Sequence, residues 1–176
     1  MGIELFYPAP AVLPDPVSPH EADQSIRRRI EETDWRELVN LEDDRLVRAG
    51  ALWLHGCLEP AHRIVQEIPS ADGMYWHALV HRSEGDYHNS LYWFARLDTH
   101  SIFPDLRNKV EGLLDEGGQA NSDEGVKHLL ADKQWNPRHF VELCRRVREG
   151  QFHDRDMLQR IAAAEYNLLM GNILGM

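Results

Sequence analysis

Histidines are concentrated in one part of this sequence, and imidazole is a group that both binds metals and moves protons. Six of the ten lie between residues 55 and 100: His55, His62, His77, His81, His88 and His100. His77 and His81 are four residues apart, so they project from one face of a helix, as paired metalloprotease ligands do. Neutral imidazole suits either role near pH 7. The spacing predicts a metal site or an acid–base site on this segment.

Two histidines do not complete a metal site, and the Glu of the His-Glu-x-x-His motif is missing because position 78 is Ala. A further ligand would have to come from His62, Glu84, His88 or His100. We take His62, His77 and His81 as the ligands of one divalent transition metal, with Glu84 as a further ligand or general base and His81 as a second acid–base group. Two alternatives stay open. The histidines form ordinary hydrogen bonds or an exposed strip in a helix bundle, or they line a metal-free small-molecule pocket.

The residues around these histidines predict two largely apolar helices, 71–84 and 87–98, each with a narrow polar stripe. The first stripe holds His77, His81 and Glu84. The second holds Asn89 and Arg96, bordered by Tyr92 and Trp93. Buried polar stripes need partners, so two facing stripes would form a polar pocket. The candidate substrate-binding residues are Asn89, Tyr92, Trp93, Arg96 and Gln66. Arg96 would either hold a small anionic or polar molecule or pair with Glu84, Asp86 or Asp98. The aromatic residues also suit an ordinary core.

The elements that position these residues are all predicted to be helices. Prolines mark helix starts, glycines mark helix ends, and no segment alternates with a period of two. The predicted helices span 19–32, 34–40, 44–57, 60–68, 71–84, 87–98, 104–116, 122–132, 137–149 and 153–174. The prediction is an all-α, single-domain bundle of antiparallel helices over 19–176. Residues 1–18 form a Pro-rich extended arm, which would pack on the domain or link copies into a homo-oligomer.

Composition excludes several classes of partner. The net charge is −10, which disfavours nucleic acid because phosphate binding needs a surplus of Lys and Arg. No apolar run approaches the 18 or so residues of a membrane span. Cys57 and Cys144 lie in apolar helical surroundings, which predicts buried, reduced thiols. We therefore expect a cytoplasmic protein that binds neither nucleic acid nor membrane.

The run from Trp76 to Trp93 has the pattern Trp-His-x3-His-Arg-x-Glu-x-Asp-Tyr-x-Asn-x2-Tyr-Trp. It resembles the signature of a family of uncharacterised bacterial and fungal helical proteins. The segments around His62 and 135–144 are also similar to that family, so the resemblance covers about half of the chain. The long C-terminal helix departs from the family pattern, with Glu165-Tyr166 in place of Glu-Trp. No established activity comes with this family, so the resemblance implies no reaction.

A second, more local resemblance concerns the turn between the two central helices. Gly85-Asp86-Tyr87-x2-Ser90-x3-Phe94 is similar to the middle of a tetratricopeptide repeat, although no second copy follows at a spacing of 34 residues. It predicts a helical hairpin. It also sustains a second hypothesis from another class: a helical interaction module without catalysis.

Overall fold

The computed structural model of the protein describes residues 6–7, 22–116 and 124–176. Across these residues every regular element is a helix and none is a strand, which confirms the predicted all-α class. The ten helices are α1 (Gln24–Glu32), α2 (Trp35–Val39), α3 (Arg45–Leu54), α4 (Leu58–Val65), α5 (Ala71–Glu84), α6 (Tyr87–Leu97), α7 (Phe103–Glu116), α8 (Glu124–Leu129), α9 (Pro137–Arg148) and α10 (Arg155–Leu174).

Helix ends follow the local chemistry of the chain. Ser70 caps α5, Asp86 caps α6 and Asn136 caps α9, each by accepting a backbone N–H in the first turn. Several predicted boundaries were wrong by two or three residues, among them the ends of α4 and α8, which stop at Val65 and Leu129 instead of 68 and 132. The helix predicted to run to residue 57 stops at Leu54, and α4 begins at Leu58 instead of 60, because Gly56 takes a left-handed backbone conformation with φ 71°.

Helices α5 and α6 form the predicted hairpin, joined by the two residues Gly85 and Asp86. Gly85 ends α5 with φ 81°, and a Cβ there would also collide with the guanidinium of Arg148. The two helices pack closely where Ser90 Oγ donates to the Ala78 carbonyl at 2.8 Å. Helix α5 also packs against α3 and α4, which makes it the central element of the bundle.

A buried ion pair connects α5 to the C-terminal helix. Arg82 Nη2 lies 2.5 Å from Glu165 Oε2, and both side chains are essentially fully buried. Tyr75 donates its hydroxyl to Glu165 Oε1 at 2.9 Å. The Arg82 guanidinium also lies 4.6 Å from the ring centre of Phe140 in α9. One charged group therefore contacts both α9 and α10 from α5.

The predicted Pro-rich arm and the start of the predicted helix 19–32 lie outside the described residues, apart from Phe6 and Tyr7. Phe6 is buried edge-on against Trp35, with ring centres 4.7 Å apart. Its carbonyl accepts a hydrogen bond from Tyr166 at 2.8 Å. In the described part of the chain, no helix combines the length and apolarity needed to cross a bilayer. Cys57 and Cys144 are buried, and within the described residues neither forms a disulfide, as predicted.

Candidate metal centre

The site lies on the face of α5 that packs against α4. His77 and His81 lie one helical turn apart with their rings stacked, ring centres 4.9 Å apart and planes 16° apart. Both residues are more than nine-tenths buried. The helix that carries them begins at the Ser70 cap and ends at Gly85, so its register relative to α4 and α6 is set at both ends.

Helix α4 brings His62 to this pair. Its Nε2 lies 2.8 Å from Nε2 of His77, a hydrogen bond in which one ring donates and the other accepts. The His62 ring centre is 4.7 Å from those of both His77 and His81. One nitrogen from each of the three rings lies within 4.8 Å of the other two. Among the described residues, no other group of His, Cys, Asp or Glu side chains meets in this way.

Two carboxylates lie on the outer side of this three-histidine cluster. Glu84 Oε1 is 3.8 Å from Nδ1 of His62, and Glu84 Oε2 is 3.4 Å from Nδ1 of His81. Asp86 Oδ2 is 3.9 Å from the same His81 nitrogen. The carboxylates therefore face the Nδ1 atoms, while Nε2 of His62 points to the interior of the cluster. At these distances the carboxylates attract the ring nitrogens electrostatically, but Nδ1 of His81 has no hydrogen-bond partner. A closer approach of Glu84 would give the contact by which a carboxylate fixes the orientation and tautomer of a metal-binding imidazole.

Burial keeps the inner imidazoles neutral. Loss of solvent, and then the proximity of His62 and His81, lower the pKa of His77 to about 4. Loss of solvent and His62 also lower the pKa of His81, and Glu84 and Asp86 partly oppose that shift. A neutral ring has a free nitrogen lone pair, which is the form that a metal binds. At neutral pH both rings are neutral, and a metal that binds Nε2 of His62 and His77 takes the place of the proton in their hydrogen bond.

Trp93 of α6 forms one wall of the site. Its ring stacks on that of His77, with centres 4.1 Å apart and planes 23° apart. The polar stripes of α5 and α6 do not face each other, because α6 presents an aromatic ring to His77. The partner of the α5 stripe comes from α4. His62 was among the candidates for that role.

The other predicted site residues occupy different positions. Asn89 donates to Asp86 Oδ2 at 2.7 Å, so it touches the cluster only through that carboxylate. Arg96 lies across Trp93 and Tyr92, and within the described residues it forms no ion pair with Glu84, Asp86 or Asp98. Gln66 lies one turn beyond His62, with an exposed side chain at the end of α4.

Two histidines that were candidates for a further ligand stay away from the cluster. His100 is buried elsewhere, with Nε2 3.0 Å from Asp72 Oδ1, and its Nδ1 accepts a hydrogen bond from the Ile102 N–H. His88 is exposed on the first turn of α6. Asp86, one of the predicted alternatives for pairing with Arg96, instead caps α6, and the prediction missed that its second oxygen faces His81. The signal for that contact was the place of Asp86 in the turn that directly follows α5.

Comparison with family models, with curated proteins and with solved structures finds no match to this chain. The geometry of the three-histidine cluster is therefore the basis on which a function can be inferred.

Proposed function

We propose that this protein binds one divalent transition metal through His62, His77 and His81 and uses it to activate water for hydrolysis. The observation that carries the proposal is the convergence of three imidazole nitrogens, within 4.8 Å of one another, from two helices. Three protein ligands with one position left for water is the ligand set of catalytic zinc sites, whereas structural sites use four.

Metal binding requires the three nitrogens, which lie within 4.8 Å of one another, to move to a common spacing. Zinc–nitrogen bonds are about 2.0–2.1 Å long, so two ligands of a tetrahedral ion lie about 3.3 Å apart. The Nε2 atoms of His62 and His77 are 2.8 Å apart around a shared proton. Replacing that proton by a metal requires the two rings to separate by about half an ångström. His62 is the least buried of the three, so it has room to make this adjustment.

The chemistry follows from the open position. A divalent zinc ion lowers the pKa of a bound water to about 7, which supplies hydroxide at neutral pH. The hydroxide oxygen would add to an acyl or phosphoryl centre, the bond to the leaving group would break, and the leaving group would take up a proton. Since both oxygens of Glu84 face Nδ1 atoms, we assign Glu84 to holding His62 and His81 in place, in preference to the role of general base or metal ligand.

The test is metal analysis of the untagged full chain, purified without chelator and then titrated with zinc or cobalt. We expect one equivalent per chain, with the visible absorption of four-coordinate cobalt. The variant His77→Gln/His81→Gln should bind none. The matched control is His128→Gln/His139→Gln, which removes another neighbouring pair of histidines, with ring centres 4.9 Å apart, from α8 and α9.

Circular dichroism would establish that each variant is folded. If the double variant unfolds, His62→Gln provides the same test at a half-buried position where less packing is lost. A chain that takes up no metal after incubation with zinc and cobalt would refute the proposal. The cluster would then belong to a metal-free small-molecule pocket or to ordinary helix packing.

A further inference from the structure

We propose that Arg96, Trp93 and Tyr92 form a binding subsite for an aromatic carboxylate beside the three-histidine cluster. This inference rests on the proposed function for the role of that ligand as substrate, but the subsite itself consists of groups that need no metal. Its elements are one cationic side chain and two aromatic rings on a single face of α6.

Arg96 supplies a positive charge that has no carboxylate partner among the described residues. Arg96 carries a permanent positive charge, on a chain whose net charge is −10. Two arginines here pair with an acid one turn away, Arg27 with Glu31 and Arg63 with Glu59. Arg96 has Tyr92 at that spacing, and across the described residues it has no carboxylate partner. Its one hydrogen bond in this region is a long one, 3.4 Å from Nη1 to the Tyr92 hydroxyl.

The second feature is the shape of the aromatic pair. The rings of Tyr92 and Trp93 are nearly perpendicular, at 80°, with centres 5.5 Å apart. The Arg96 guanidinium lies 5.7 Å from the first ring centre and 5.6 Å from the second. Tyr92 is 49% exposed, although large apolar side chains are otherwise mostly buried here. Two rings at a right angle form a corner in which a third ring stacks on one and meets the other edge-on.

The third feature is proximity to the metal centre. The Trp93 ring, on which Arg96 lies, also stacks on His77 at 4.1 Å. The indole therefore lies between a ligand in this corner and His77, and only a substituent that extends past the edge of the indole reaches the histidines. A planar carboxylate matches the fork of a guanidinium, which can donate two parallel hydrogen bonds to it. The ligand class that satisfies all three features is a flat aromatic acid, with its reactive bond extending toward the histidines.

The substrate class follows from this placement. Arg96 would bind the carboxylate of the ligand, and Tyr92 and Trp93 would bind its ring. A second substituent on that ring would carry the ester or amide bond that is cleaved. Hydrolysis adds the oxygen of water to the acyl carbon and breaks its bond to the leaving oxygen or nitrogen, which takes up a proton. No oxidant or further reactant is required.

The experiment is an NMR titration of the full chain with benzoate and with benzyl alcohol, which has the same ring without the charge. It follows the indole N–H signal of Trp93, assigned from a Trp93→Phe variant. We expect benzoate to shift this signal to saturation and to bind more tightly than benzyl alcohol. Arg96→Gln should weaken benzoate binding about ten-fold, as expected for loss of a hydrogen bond to a charged group. It should leave benzyl alcohol binding unchanged.

The control is Arg45→Gln, which removes an exposed arginine that pairs with Asp43 at the start of α3. It should behave as the wild type. Benzoate affinity that does not change in Arg96→Gln would overturn the subsite, as would binding with no effect on the Trp93 signal.

Running each titration with and without zinc separates the two proposals. Arg96-dependent binding in both samples supports the subsite even if no metal binds. Binding that requires zinc and ignores Arg96 would place the carboxylate on the metal, which overturns the subsite and leaves the metal centre standing.

Discussion

The atoms that Glu84 faces distinguish an orienting role from that of a metal ligand or general base. Its two oxygens lie near Nδ1 of two different histidines, His62 on α4 and His81 on α5. A carboxylate that accepts an N–H from a metal-binding imidazole holds the ring in orientation and makes its other nitrogen a better ligand. One side chain would thus orient two of the three ligands.

Replacing Glu84 by Gln keeps the size of the side chain and removes its charge. We expect zinc affinity to fall by about 10- to 100-fold, the usual effect of losing such an outer partner. The metal-free protein should unfold at nearly the same urea concentration, because Glu84 is one-third exposed. Competition with a chromophoric chelator measures the affinity.

Glu59→Gln, an exchange at an exposed position on α4, is the control and should leave zinc affinity unchanged. An equal loss in the two variants would mean that surface charge alone accounts for the effect. A complete loss in Glu84→Gln, matching that of the histidine double variant, would instead make Glu84 a metal ligand.

At the scale of helices, the sequence predicts the features that depend only on residues close together in the chain. The hairpin of α5 and α6 follows from Ser70, Gly85 and Asp86, each of which acts within a few residues of its own position. The spacing of His77 and His81 is fixed in the same way by the period of one helix. These features were predictable because no distant contact is needed to specify them.

Contacts between helices were less predictable. His62 was one of four candidates for the third ligand, and only the packing of α4 on α5 selects it. The pairing of Arg82 with Glu165 joins residues 83 positions apart and was not predicted. Nothing near Arg82 in sequence indicates that its charge is buried, since the helix that covers it comes from the far end of the chain.

The Arg82–Glu165 pair should dominate the mutational sensitivity of the α5–α10 contact. Arg82→Met leaves the Glu165 carboxylate buried without its cation, and removing one partner of a buried pair costs about 3–5 kcal/mol of stability. Arg82→Met/Glu165→Leu removes both charges and should recover a large part of that loss. Urea unfolding of the two variants measures the free energies of unfolding.

The double variant should remain less stable than the wild type, because Tyr75 loses the acceptor of its buried hydroxyl. The exposed pair Arg145 and Glu142 serves as the control, since removing it should change stability by no more than about 1 kcal/mol. A double variant less stable than Arg82→Met would mean that Glu165 contributes more through other contacts than through this ion pair.

For the whole molecule, the three-histidine cluster makes stability depend on pH. In the unfolded chain His77 binds a proton near its ordinary pKa of 6.5, whereas in the folded protein its pKa is about 4. Between these values the unfolded chain holds more protons, so the free energy of unfolding decreases as pH falls from about 6.5 to about 4. The lowered pKa of His81 acts in the same direction.

Urea unfolding of the metal-free protein at about pH 7 and about pH 4.5 measures this dependence. Carboxylates also begin to titrate in this range, so the informative quantity is the difference between wild type and His77→Gln. Glutamine has no ionisable group, and the variant should therefore lose less stability on acidification, by on the order of 2 kcal/mol. His88→Gln, at an exposed histidine of α6, should lose as much stability on acidification as the wild type does. If His77→Gln loses as much stability as wild type, then burial does not lower the pKa of His77 in the folded protein.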